Sequence, residues 1–116
     1  MTDDFWDQLE HLLTENRLVI DRPKESGHPR IPELIYPLDY GYLEGTTSAD
    51  GGGIDVWIGS LPARNLSGIA CTYDALKTDA EIKLLVGCSD DDIQSIMNFH
   101  SDGMKAIFIP RPGQRS

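Results

Sequence analysis

Residues 40–59 read YGYLEGTTSADGGGIDVWIG, three consecutive glycines between two aspartates that run straight into an apolar alternation. Asp-Gly between strands makes a hairpin turn, because glycine supplies positive φ at no steric cost. A strand over 40–44, a turn at the glycines and a second strand over 54–59 follow. In the second strand the period of two puts Ile54, Val56 and Ile58 on one face and Asp55 and Trp57 on the other. "AEIKLLVG" (80–87) repeats the arithmetic, with Ile82, Leu84 and Val86 on one face and Glu81, Lys83 and Leu85 on the other. If the two apolar rows share a core, Asp55, Glu81 and Lys83 come within reach of one another on the opposite surface. Carboxylates around a lysine suit a metal-bridged phosphate, with hard oxygens for a divalent cation and an ammonium for a phosphate oxygen. A solvated, salt-bridged sheet face has the same pattern and stands beside that reading. The same choice applies to Asp50, as turn residue or ligand, and to Tyr36 and Tyr40, as packing rings or phosphate donors.

Working outward, "RLVIDRP" (17–23) has the β-branched pair of a strand and stops at Pro23, and 24–34 is an ordered loop or broken hairpin punctuated by Gly27, Pro29 and Pro32. Further strands are expected over 67–74, 81–87 and 105–110. Phe5, Leu9, Leu12 and Leu13 lie at helical spacing within 3–16, with Thr2 or Asp3 as a candidate N-cap. A second helix starts after Ser89, with Asp90, Asp91 and Asp92 in the first turn, where the helix dipole favours anions. The pattern is an α+β fold, mainly β, with one helix at the N-terminus, one near the C-terminus, and strands able to curl into a small barrel. We expect one domain over 1–116.

Ten Lys and Arg against nineteen Asp and Glu give a net charge of −9. That charge repels nucleic acid and anionic membrane and leaves divalent cations as plausible partners. Cys71 and Cys88 lack metal spacing and are expected as buried core thiols. With an acidic start and no long apolar run, the expected compartment is the reduced cytoplasm. His11, His28 and His100 are scattered, and none is read as catalytic. The first helix is expected to pack on the barrel, the alternative being a docking face for a partner.

Taken together, "YPLDYGYLEGTTSADGGGIDVWIGS" followed by "DAEIKLLVG" resembles the family I soluble inorganic pyrophosphatases, across roughly residues 18 to 105. That family carries a YP-x-x-YG-[YF] stretch, a D-G-D-P-x-D-V turn and strand, and a D-x-K-L strand on an OB-like five-stranded barrel. The resemblance implies hydrolysis of pyrophosphate or a related phosphoanhydride, with Mg²⁺ (or Mn²⁺) as cofactor, a small phosphate-containing substrate and a homo-oligomer. It places Asp50, Asp55 and Glu81 as metal ligands. Asp55, Asp50, Tyr40 and Lys83 become the catalytic set, and Arg30, Tyr36, Lys83 and Lys105 the phosphate-binding set. Asp21 and Asp79 match acidic positions less closely. Gly52 stands where the family has the middle aspartate, regarded as the general base, and Gly53 where it has proline. A pyrophosphatase-like metal- or phosphate-binding module, catalytically impaired or regulatory, is therefore the alternative implied. Asp39 and Glu44, close in sequence, are the carboxylates that could compensate.

Overall fold

The structure, a computed structural model, describes residues 3–48, 51–101 and 104–113. Asp50, a ligand and catalytic candidate, and Thr2, a capping candidate, lie outside the described residues. In chain order the elements are α1 (Asp3–Glu15), β1 (Leu18–Arg22), β2 (Asp39–Leu43), β3 (Ile54–Ile58), β4 (Leu66–Asp74), β5 (Asp79–Val86), α2 (Asp90–Phe99) and β6 (Met104–Pro110). Among the described residues no helix is long and apolar enough to cross a membrane.

The strands form one mixed sheet in the order β1-β2-β3-β5-β4-β6, antiparallel throughout except between β3 and β5. The β4–β5 hairpin folds back so that β5 lies against β3, with Val56 opposite Leu84 and Trp57 opposite Leu85. This corrects the five-stranded barrel. Among the described residues the sheet has six strands and is open, with β1 and β6 at its edges. A closed barrel buries one sheet face within itself, whereas here both faces carry apolar rows and each is covered by a helix.

On one face Leu43, Val56, Ile58, Leu66, Ile69, Leu84 and Val86 are buried beneath Trp6, Leu9, Leu12 and Leu13 of α1. Trp6, Leu9 and Leu13 follow the i, i+3, i+7 spacing of a packed stripe. Phe5, expected on that face, is 48% exposed and lies edge-on to Trp6. Arg111 ties the end of β6 to α1 through Glu10 and Asp7.

The other face is also core. Tyr36, Leu38, Trp57, Ala70, Leu85, Cys88 and Ile96 are buried together, with Ile93, Met97 and Phe99 of α2 against them. Trp57 and Leu85, which the alternation assigned to an open surface, are fully buried there. α2 starts as expected. The Ser89 hydroxyl accepts from the Asp92 N–H at 3.1 Å and the Asp92 carboxylate accepts from the Ser89 N–H at 2.9 Å, a capping box. Asp92 also accepts from the Ser60 N–H and hydroxyl, both at 2.8 Å, so the helix start anchors the chain leaving β3. Cys88 is buried, and burial pushes its thiol up to about 12. Cys71, expected in the core, is only half-buried at the edge of the α1 layer.

Segment 24–34 closes as a short hairpin-like loop. Gly27 bridges Ile35, and the His28 N–H donates to the Leu34 carbonyl at 2.8 Å. The loop thereby lays His28 parallel to Tyr36.

Candidate functional site

Register brings the charged row together. Tyr42 pairs with Asp55 and Tyr40 with Trp57 across β2–β3, while Trp57 pairs with Leu85 across β3–β5. Tyr40, Asp55, Lys83 and Glu81 therefore share the sheet face that α2 covers, at the end α2 leaves open. The Lys83 ammonium donates to the Tyr40 hydroxyl at 3.0 Å, to Asp55 Oδ2 at 3.0 Å and to Glu81 Oε1 at 3.1 Å. Tyr40 donates to the same Asp55 oxygen at 2.6 Å. The side chains are 7% exposed for Lys83, 12% for Glu81 and 22% for Asp55, so these charge-assisted bonds are largely shielded from solvent.

The electrostatics follow from burial and partners. Burial by itself would lower the Lys83 pKa, but Tyr40, Asp55 and Glu81 outweigh it and hold the ammonium protonated. Burial raises the Tyr40 phenol and Asp55 raises it further, which outweighs the opposing pull of Lys83 and keeps Tyr40 a donor.

An aromatic wall backs the cluster. Tyr36, which is buried, lies 5.3 Å from Tyr40 and 5.8 Å from Trp57 between ring centroids. The Trp57 indole donates to His100 Nε2 at 3.1 Å, and His100, at the C-cap of α2, is held down to about 3 by burial and by the Lys83 charge. Thr72, buried and in register with Glu81, completes the floor.

The remaining candidates are distributed as follows. Asp79 lies on the same face two residues beyond Glu81, and Asp21 is exposed at a bulge in β1 beside Arg22. Arg30 is exposed on the loop, its N–H donating to His28 Nδ1 at 3.1 Å. Lys105 is not brought to the cluster. It pairs with Tyr73, one residue out of phase with the Thr72–Glu81 row, and so lies on the α1 side of the sheet. Asp39 likewise shares the α1-side row with Leu43 and caps the Lys24 N–H at 2.8 Å, while Glu44 faces Arg17 at 3.8 Å. Neither compensates at the cluster.

Arg22 escaped the sequence reading. A register shift between Ile20 and Arg22 leaves Asp21 unpaired and sets Arg22 opposite Tyr40. The only sequence signal was its place beside Asp21, and the bulge that re-aims it has none.

The donors suit a divalent cation in kind. Lys83 and Tyr40 occupy one oxygen each of Asp55 and Glu81, and the second oxygen of each receives no hydrogen bond from the described residues. In number they fall short, since among the described residues no group of three or more His, Cys, Asp or Glu side chains could hold a metal ion. The glycine loop contributes backbone only: Gly51 takes φ +86°, and a Cβ on Gly53 would stand 2.7 Å from the Leu43 carbonyl oxygen and 2.8 Å from the Tyr42 ring.

No protein-family model matches the chain, and no curated protein matches it. Among solved structures it is similar to an inorganic pyrophosphatase from Coxiella burnetii, with a TM-score of 0.58 and 16% sequence identity over 80% of this chain and 82% of that one. At that identity the likeness is one of fold, and the chain has a pyrophosphatase-like fold.

Proposed function

We propose that this chain is a hydrolase of pyrophosphate or a related phosphoanhydride, dependent on Mg²⁺ or Mn²⁺. The observation that carries the reading is the buried Tyr40–Asp55–Lys83–Glu81 cluster, set at one end of a pyrophosphatase-like sheet. Asp55 and Glu81, together with Asp50, would hold the cation, which when bound polarises phosphoryl oxygens and activates water. Lys83 locks the two carboxylates in place and presents a permanent positive charge beside them. Tyr40, kept protonated, orients Asp55 by donating to Oδ2 and leaves Oδ1 for a ligand. The aromatic wall of Tyr36, Trp57 and Phe99 excludes water behind the cluster, which strengthens each of these interactions. In this reading residues 1–116 act as one domain, and a homo-oligomer is proposed with it.

A second reading, a binding module without turnover, is favoured by one specific observation. Gly52 and Gly53 carry no proton-accepting side chain, and neither Asp39 nor Glu44 reaches the cluster. Loss of a general base costs about 10²- to 10⁴-fold in rate.

Phosphate release from pyrophosphate, with and without Mg²⁺ or Mn²⁺, separates the two in wild type, Asp55→Asn and Gly52→Asp. Metal-dependent wild-type turnover, abolished in Asp55→Asn, is the expected result. A silent wild type with activity appearing in Gly52→Asp would refute hydrolysis and leave the binding module.

A further inference from the structure

The cluster has an electrostatic deficit as a phosphate site. Lys83 is shared by two carboxylates, so two negative charges face one positive charge, in a chain whose net charge is already −9. A divalent cation would do no more than neutralise the two carboxylates, so a multiply charged phosphate anion needs positive charge beyond it and Lys83, and Lys105 faces the other side of the sheet.

Arg22 is placed to supply it. Its Cα is paired with Tyr40, the hydroxyl of which bonds both Lys83 and Asp55. Its Nε is buried and has no hydrogen-bond partner among the described residues, an orphaned donor of the sort that proteins normally satisfy. Among the described residues its ion pair is with its neighbour Asp21 at 3.3 Å, where both side chains are more than a third exposed and the contact holds it weakly. Tyr36 is within the influence of both cations: burial raises its phenol, and Arg22, through its charge and a side-chain hydrogen bond, and Lys83, through its charge, act against that rise. Arg22 and Arg30 likewise act on His28, stacked on the far side of Tyr36, so positive charge gathers at this one rim of an acidic molecule.

We propose that Arg22 is a direct ligand of the bound anion, its guanidinium taking a phosphate group at the rim of the cluster while Lys83 stays committed to Tyr40, Asp55 and Glu81. The inference rests on the reading that this site takes a phosphoanhydride. A guanidinium presents paired donors that match phosphate oxygens, so lysine at this position would keep the charge and lose the fork.

The test is calorimetric titration of imidodiphosphate, a non-hydrolysable P–N–P analogue, in the presence of Mg²⁺ into wild type, Arg22→Gln and Arg22→Lys, with thermal midpoints measured alongside. We expect Arg22→Gln to weaken binding about 10- to 100-fold, as for loss of a charge-assisted hydrogen bond, with an unchanged midpoint and Arg22→Lys in between. Equal affinity in wild type and Arg22→Gln would overturn the assignment of Arg22 and leave the phosphoanhydride reading standing. A loss that tracks a lowered midpoint and is not recovered in Arg22→Lys would assign Arg22 to the fold and overturn the proposal. No binding by wild type would overturn both.

Discussion

Replacing Lys83 with methionine keeps most of the side-chain volume and removes the charge that two carboxylates share. Asp55 Oδ2 and Glu81 Oε1 each lie about 3 Å from the ammonium, at 3.0 and 3.1 Å, so they are at most about 6 Å apart. Two unit charges at about 6 Å repel by about 3 kcal/mol at an effective dielectric of about 20. At 12% and 22% exposure they are only partly screened. Tyr40 also loses a donor to its hydroxyl, although its bond to Asp55 survives. Breaking a buried ion pair from one side costs about 3–5 kcal/mol, and the repulsion accounts for most of that figure. Lys83→Met should therefore lower the unfolding free energy at pH 7 by about 3–5 kcal/mol, read by urea denaturation with an unchanged m-value. Adding Glu81→Gln removes the repulsion, and the double variant should recover most of the loss. A cost below about 1 kcal/mol for Lys83→Met, or no recovery in the double variant, would refute a shared, shielded cation at the centre of the site.

Three further outcomes follow from the packing. His100 is held neutral in the folded protein, at about 3 against an unfolded value of 6.5, so the unfolded chain binds the extra proton between those values. The stability it contributes is complete above pH 6.5 and falls by about 1.4 kcal/mol per unit as pH drops from 6.5 toward 3; His100→Gln should flatten that part of a urea-midpoint profile. Asp92→Ala removes the acceptor of the Ser60 and Ser89 bonds and half of the capping box, which should cost about 2–3 kcal/mol by chemical denaturation, whereas Asp91→Ala, on the exposed side of the same turn, should cost under about 0.5 kcal/mol. Gly53→Ala puts a Cβ 2.7 Å from a fixed carbonyl oxygen and should cost about 1–3 kcal/mol in the same assay; a neutral substitution would show that the turn yields more readily than its contacts imply.

The site was legible to the extent that it depends on strand parity. Asp55, Glu81 and Lys83 emerged on one face from alternation alone, and the structure joins them through Lys83, with Tyr40 added by its register opposite Trp57. The same rule could have placed Lys105, had the pairing of β6 with β4 been known. Its residue parity has no meaning until Tyr73 is seen opposite it. Arg22 was out of reach for a related reason, because the bulge after Ile20 exchanges the roles of Asp21 and Arg22 without any mark in "VIDRP". Trp57 and Leu85 were assigned to an open face because one strand's pattern does not reveal that a second helix covers it.

The chain by itself determined the elements of the described residues: the helices, the strands, the start of the second helix after Ser89 and which side chains share a face within each strand. These are short-range properties, governed by backbone sterics, side-chain period and capping chemistry over a few residues. Only the tertiary structure decided which faces meet, that the sheet stays open with a helix on each side, and that Lys83 is spent on two carboxylates while Arg22 keeps an orphaned donor. Those outcomes depend on register, bulges and the competition between distant apolar surfaces for burial, which no local stretch of residues encodes.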